Sequence, residues 1–231
     1  APSIVLIDPD VTLLAKFSFT PSTALLHAQL ADDSEALGRL QAVEILAKRK
    51  DKTTREKLKH ALQNDSFYAV RIAASTALRG IGGDDALAAL TDSTDQPNAK
   101  VRQQVISNIA SHYKPAALAS LKQSLAKEKN PAIRSHIING LTGYNDKEAR
   151  KFINQALDSN SFRHQLADAA VSALRKQDNP ANIAKIRDAL ENDGKKFTTN
   201  GYASGLRALG YQGRNQKNRT RIREFLIGHV N

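Results

Sequence analysis

Cysteine, methionine and tryptophan are all absent from this 231-residue chain. Without cysteine there is no disulfide, no thiolate metal site and no cysteine nucleophile. A cysteine-free chain is also indifferent to redox compartment. No apolar run approaches the length of a membrane span, so no span is expected. No secretory pattern precedes the first apolar stretch. The expectation is a soluble protein of the cytoplasm or periplasm. The lack of methionine implies that Ala1 is not the natural start, and that a leader or an upstream piece is missing. Aromatic residues make up only 5%, so any core must be built from small and aliphatic side chains.

What is present is ordinary for a folded protein: 41% hydrophobic and 25% charged residues exclude intrinsic disorder. The net charge of +11 is unevenly spread. Residues 195–231 hold eight Lys/Arg against Glu224 alone, a net +7, which leaves +4 for the rest.

An internal repeat organises the chain. GRLQAVEIL from Gly38, VRIAASTAL from Val70, VRQQVISNI from Val101 and IRSHIINGL from Ile133 align. Each has arginine in second place and an aliphatic residue seven positions later. The arginines, Arg39, Arg71, Arg102 and Arg134, are spaced 32, 31 and 32 apart. LADAAVSAL from Leu166 and GYASGLRAL from Gly201 fit without the arginine. A period near 32 is that of a two-helix repeat. First helices are expected around Leu25–Leu30, Leu58–Leu62, Ala86–Leu90, Leu118–Leu125, Phe152–Leu157 and Ile183–Leu190, each with one apolar face. Polar turns with Asn64, Asp65, Asn130 and Asn160 separate the helices of a pair. Pro97, Pro115, Pro131 and Pro180 suit a helix first turn, where no amide hydrogen is needed. Gly80-Ile81-Gly82-Gly83 reads as a helix end and turn, and Asp32-Asp33 and Asp84-Asp85 as capping residues. A last helix, about Arg219 to Val230, is left without a partner and reads as a cap.

The pattern resembles HEAT-like repeats, including the short phycobilisome-lyase variety. The resemblance runs from about Leu25 to Gly210 and rests on the polar turn into Val-Arg and the Ala-x-x-Ala-Leu step, as in Asp65 to Leu78. It implies an all-α, right-handed α-α superhelix of about six to seven helix pairs.

The first twenty residues read differently. Val11, Leu13, Ala15, Phe17 and Phe19 alternate with polar residues, apart from Leu14, which predicts an extended strand from Val11 to Phe19. Its apolar positions would lie against the first helices or a neighbouring molecule. Asp8-Pro9-Asp10 is turn chemistry. Residues 1–20 are therefore expected as a short β segment and 21–231 as the helical-repeat domain. Ile7-Asp8-Pro9-Asp10 and Leu13-Leu14-Ala15-Lys16, followed by Gly38-Arg39, resemble the junction between the β-sandwich and C-terminal helical domain of aminopeptidase N-like zinc metallopeptidases. That resemblance implies a non-catalytic domain that limits substrate access, with upstream β-sandwich and catalytic domains as partners in the same polypeptide.

Catalysis by this chain is not expected. His27, His60, His112, His136, His164 and His229 are neither followed by Glu nor paired four residues on, so no H-E-x-x-H zinc site exists. No cofactor or metal constellation stands out. The repeat arginines Arg39, Arg71, Arg102 and Arg134 read as structural, each bonding a carboxylate or carbonyl of its own or a neighbouring turn. The terminal cluster Arg214, Lys217, Arg219, Arg221 and Arg223 reads as a solvated cap, or as a contact for an anion or acidic partner. Tyr202 and Tyr211 nearby are of a type that stacks on bases. Two further readings stand beside the peptidase domain. One is a stand-alone adaptor binding peptide or protein on its concave face. The other, disfavoured, is a basic solenoid of the DNA-repair type binding nucleic acid.

Overall fold

The computed structural model describes residues 4–8, 12–15, 19–32, 34–177, 179–214, 216 and 219–229. Thirteen α-helices form among them. The first six are α1 (Thr23–Leu30), α2 (Ala36–Leu46), α3 (Lys52–Asn64), α4 (Tyr68–Ile81), α5 (Gly83–Thr91) and α6 (Ala99–Ala110). The rest are α7 (Pro115–Lys127), α8 (Pro131–Leu141), α9 (Lys147–Leu157), α10 (Gln165–Lys176), α11 (Asn182–Asp193), α12 (Thr199–Gly213) and α13 (Thr220–Ile227). They make six consecutive pairs and one unpaired helix, as the repeat predicts. The chain divides into two compact units, residues 1–112 and 113–231.

Local chemistry starts the helices. The side chains of Ser22, Asp51, Asn98, Asn130, Asp146 and Thr198 each accept an amide N–H from the first turn that follows. Each such cap contributes about 1 kcal/mol. Pro115 and Pro131 open their helices as expected. Pro97 and Pro180 instead precede the capping residues Asn98 and Ala181, where their fixed φ shapes the entry. Asp84 and Asp85 lie in the first turn of α5 and favour the positive end of its dipole, while Gly82 takes the cap. Gly82 and Gly83, at φ 69° and 84°, adopt the left-handed turn that only glycine takes cheaply.

In the first unit the α3–α4 pair packs most extensively, in the second the α10–α12 and α8–α10 contacts do. In both units successive second helices pack on one another, α2 on α4 and α4 on α6, then α8 on α10 and α10 on α12. Their buried residues follow helical spacing. Val101, Val105, Ile106 and Ile109 fill α6; Ile133, Ile137, Ile138 and Leu141 fill α8. Alanines such as Ala74, Ala77, Ala167 and Ala170 let the helices approach closely. Buried amides pin the register. Asn108 donates to the Ser75 hydroxyl (2.7 Å), Gln96 to the Leu62 carbonyl (3.1 Å) and Gln212 to the Leu174 carbonyl (2.6 Å). Helix α13 buries no residue fully, but Ile222 and Leu226 pack over Gly213 and Gly210 of α12, so it covers the end of the second unit.

The N-terminal segment corrects one expectation. No strand forms among the described residues. Val11 and residues 16–18 of the expected strand lie outside them. Residues 12–15 and Phe19 carry no ladder bonds; Leu13 and Leu14 are exposed rather than packed on the first helices. The local reason is Asp8. At φ 48° it turns the chain, and its carboxylate accepts the Thr12 and Leu13 amides (both 2.9 Å), so those donors are spent locally. Residues 4–8 do lie on α2: Leu6 sits against Gly38, where a Cβ would fall 2.5 Å from it, and Gln41 donates to the Ile7 carbonyl.

Candidate functional site

The four repeat arginines occupy one register but not one environment. Arg39, on α2, is buried and pairs with Asp65 in the α3–α4 turn of the next repeat. Its Nε lies 2.7 Å and its Nη2 3.2 Å from the two carboxylate oxygens. Its Nη1 donates to the Asp32 carbonyl (3.0 Å), and Asp65 also accepts the Phe67 amide (2.8 Å). Each guanidinium nitrogen and each carboxylate oxygen thus has a partner, as a buried ion pair requires. Arg102, on α6, donates to the carbonyls of Gln96 (2.8 Å) and Pro97 (3.0 Å) at the end of its own loop. Arg71 and Arg134 differ. Each has a buried Nε without an acceptor, and neither guanidinium bonds a described residue.

Arg134 also lines a cleft. The space, ≈ 490 Å³, lies between α8 and the α9–α10 connection. Phe152, Ile138 and Leu125 give it apolar walls, and Ser159, Asn160 and Ser161 a polar rim. Among the described residues Arg134 is its one charged lining residue, and no carboxylate lines it. Phe162 closes one side and is 69% exposed. The turn that carries it is held by two successive left-handed residues, Arg163 (φ 53°) and His164 (φ 57°). Non-glycine residues take that conformation at a cost of about 1–2 kcal/mol each. The Ser161 carbonyl accepts the His164 amide (2.8 Å), and the Ser161 hydroxyl accepts the Leu166 amide (3.0 Å), which fix the turn.

Two blocks of this chain, residues 23–110 and 118–213, match the family model for HEAT repeats. The chain belongs to the HEAT-repeat family. No curated protein matches its sequence. Among solved structures it is similar to a chain from the complex of CpcE and CpcF of phycocyanin lyase from Nostoc sp. PCC7120. The identity is 15%, the TM-score 0.41, and the coverage 94% of this chain and 98% of that one.

The terminal basic cluster lies at and beyond the end of the second HEAT block. Lys217 is outside the described residues. Arg214 follows α12, bonds the Tyr211 carbonyl and lies over the Tyr211 ring at 3.7 Å; Arg175 approaches the same ring at 5.9 Å. Arg219 precedes α13 and reaches the Arg214 carbonyl (3.4 Å). Arg221 and Arg223 are exposed on α13. Tyr202 packs beside Gly194 and the His229 ring, and burial raises its phenol pKa. No group of three His, Cys, Asp or Glu among the described residues is placed to hold a metal ion. No helix among them is long and apolar enough to cross a membrane.

Sequence reasoning missed the Arg39–Asp65 pair and the Arg134 cleft. A signal for the pair was present. Asp65 follows Arg39 by 26 residues, and the same offset from Arg102 and Arg134 lands on Glu128 and Asn160.

Proposed function

We propose that this chain is a protein-binding HEAT-repeat scaffold. The observation that carries the reading is the family match over both blocks, together with how the repeats spend their side chains. Their aliphatic residues are consumed between helices, while the second helices keep exposed polar positions such as Thr76, Arg79 and His136. A stacked repeat array of this kind presents an extended surface suited to peptide or protein partners.

The peptidase-domain reading depended on an extended Val11–Phe19 strand, and its described part forms none. The nucleic-acid reading needs open aromatic faces beside basic groups. Arg214 already lies over one face of Tyr211, which is 42% exposed, and Tyr202 is packed. Both therefore rank below the scaffold.

The test is site-specific photo-crosslinking in the native host. Benzoylphenylalanine at Thr76 or His136, on second helices, should give discrete adducts with a partner protein. The same probe at Lys57 or Lys151, on first helices, should not. Equal or absent adducts at all four positions would overturn the reading. Retardation of DNA that falls steeply with salt would move the function to nucleic acid.

A further inference from the structure

We propose that the cleft around Arg134 binds a peptide carboxylate whose neighbouring apolar side chain lies against Phe152 and Phe162. The proposal rests on the scaffold reading only for the source of the peptide.

The internal repeat supplies the reasoning. Arg39 shows what this register does when it is complete: a guanidinium on the second helix meets a carboxylate 26 residues on, and the pair is 3% and 4% exposed. At Arg134 that offset reaches Asn160, which cannot carry charge. Both residues line the same cleft. The register position of the carboxylate is thus held by a neutral side chain, and the guanidinium beside it in the cleft is uncompensated. Buried N–H groups without an acceptor are rare, since each forfeits the hydrogen bonds it made in water. Here the Arg134 Nε is one of them, and no described residue bonds the rest of the group.

The chemistry of the walls selects the ligand. A guanidinium fork matches a planar carboxylate, two N–H groups to two oxygens. The remaining donors are neutral. The Ser161 hydroxyl accepts the Leu166 amide and keeps its proton to give, and the exposed Asn160 amide makes no bond among the described residues. One cation with neutral donors suits a singly charged anion better than a phosphate dianion, which gathers several cations. The apolar wall, with Phe162 largely exposed over it, asks for a hydrophobic group next to the charge. The volume, ≈ 490 Å³, is that of a ligand site able to take two or three residues. A peptide ending in a free carboxylate after an apolar residue meets all of these demands.

The probe is acetyl-Ala-Ala-Phe as the free acid, titrated into the full chain while the Arg134 Nε–Hε and Phe162 ring resonances are followed by NMR. Saturable shifts at both groups are expected, with the C-terminal amide of the same peptide weaker by about tenfold or more. Arg134→Gln should remove the response, and Arg134→Lys should leave only a weak remnant, because the fork is lost. Asn160→Asp provides the check that does not remove a cleft wall. It installs a carboxylate at the register position of Asp65 and should weaken binding severalfold in a fully folded protein, by competing for the guanidinium and repelling the ligand's charge. Equal affinity for acid and amide, or unchanged binding by Asn160→Asp, overturns the site. So does a tighter response to inorganic phosphate, which would make it a general anion pocket. If no shift occurs with the free acid while the Thr76 and His136 adducts still form, the carboxylate site falls and the scaffold stands.

Discussion

Arg39 in the first unit and Arg134 in the second stand at the same step of the same repeat, yet one is closed and the other open. In the first unit the guanidinium is locked to Asp65 by two bonds and shielded from water. In the second, a neutral Asn160 stands at the matching position and a cleft adjoins it. Repeat proteins gain stability additively, unit by unit and interface by interface. A single interface can therefore lose its internal partner without unfolding the array, provided other contacts hold it. The second unit has such a contact. Asp168 on α10 accepts the Thr198 hydroxyl (2.5 Å) and amide (3.2 Å), tying the start of α12 to the preceding repeat. That pin lies one repeat further on than Arg134, whose guanidinium bonds no described residue.

The largest effect is expected where the closed site is broken. Asp65→Ala leaves the Arg39 guanidinium buried without a counter-charge, and it also strips an acceptor from the Phe67 amide. Removing one partner of a buried pair costs about 3–5 kcal/mol. Urea unfolding should show that loss. Arg39→Met combined with Asp65→Leu should recover part of it, since no buried charge is then left unpaired, although the Phe67 amide and the Asp32 carbonyl still lose their side-chain partners. A loss under about 1 kcal/mol for Asp65→Ala would mean that water reaches the pair and that the two arginine sites differ little.

A smaller loss is expected at the pin of the second unit. A Cβ on Gly201 would fall 1.7 Å from the Asp168 carboxylate, which its two bonds to Thr198 hold in place. Gly201→Ala should therefore cost about 1–3 kcal/mol, the usual range for overpacking. Gly80→Ala, at an open helical position, is the control, since an added Cβ there meets nothing within 4 Å. If both alanines behave alike, the pin does not hold the second unit.

These contrasts show what could be read from the chain beforehand. Helix pairs were visible because apolar spacing and the Arg period repeat six and four times, and each copy reinforces the others. Pro115, Pro131 and the Gly82-Gly83 turn were visible because their backbone chemistry is local. The N-terminal alternation misled, because period two is only a tendency until a neighbouring strand supplies ladder bonds, and Asp8 takes the Thr12 and Leu13 amides first. The cleft was hidden for another reason. It depends on a residue that is not there, a carboxylate at position 160, and an absence has meaning only once Asp65 has shown what belongs in that slot.

Closing the open site should produce a modest gain. Asn160→Asp places a carboxylate at the exposed rim near Arg134, where water screens the pair, so stability should rise by no more than about 1 kcal/mol. The thermal midpoint reads this directly. A gain of several kcal/mol would show that the cleft closes and dries around the new pair, making the two units alike. A loss would show that the side chain at 160 points away from Arg134.

The finest distinction between the units concerns acid. Asp8, Asp32 and Asp51 in the first unit, and Asp146 in the second, have carboxyl pKa values below the ordinary 3.8. The causes differ. Backbone amides of Leu13, Ser34 and Thr54 lead for the first three, whereas the Lys122 ammonium, 2.8 Å away, leads for Asp146. Each folded carboxyl releases its proton more readily than the unfolded one. Its contribution to stability is thus present above pH 3.8 and is lost as pH falls through that value toward the lower folded pKa. Three of the four belong to the first unit, and Asp51 caps α3 there. Amide exchange, corrected for its intrinsic rate and compared between neutral pH and about pH 3, should therefore lose more protection in α1–α3 than in α7–α9. Added salt should weaken the Asp146 contribution, which an ion pair dominates, more than that of Asp51, which rests on hydrogen bonds to Thr54. The reverse order of acid sensitivity would mean that the closed Arg39–Asp65 interface protects the first unit more than its capping carboxylates expose it.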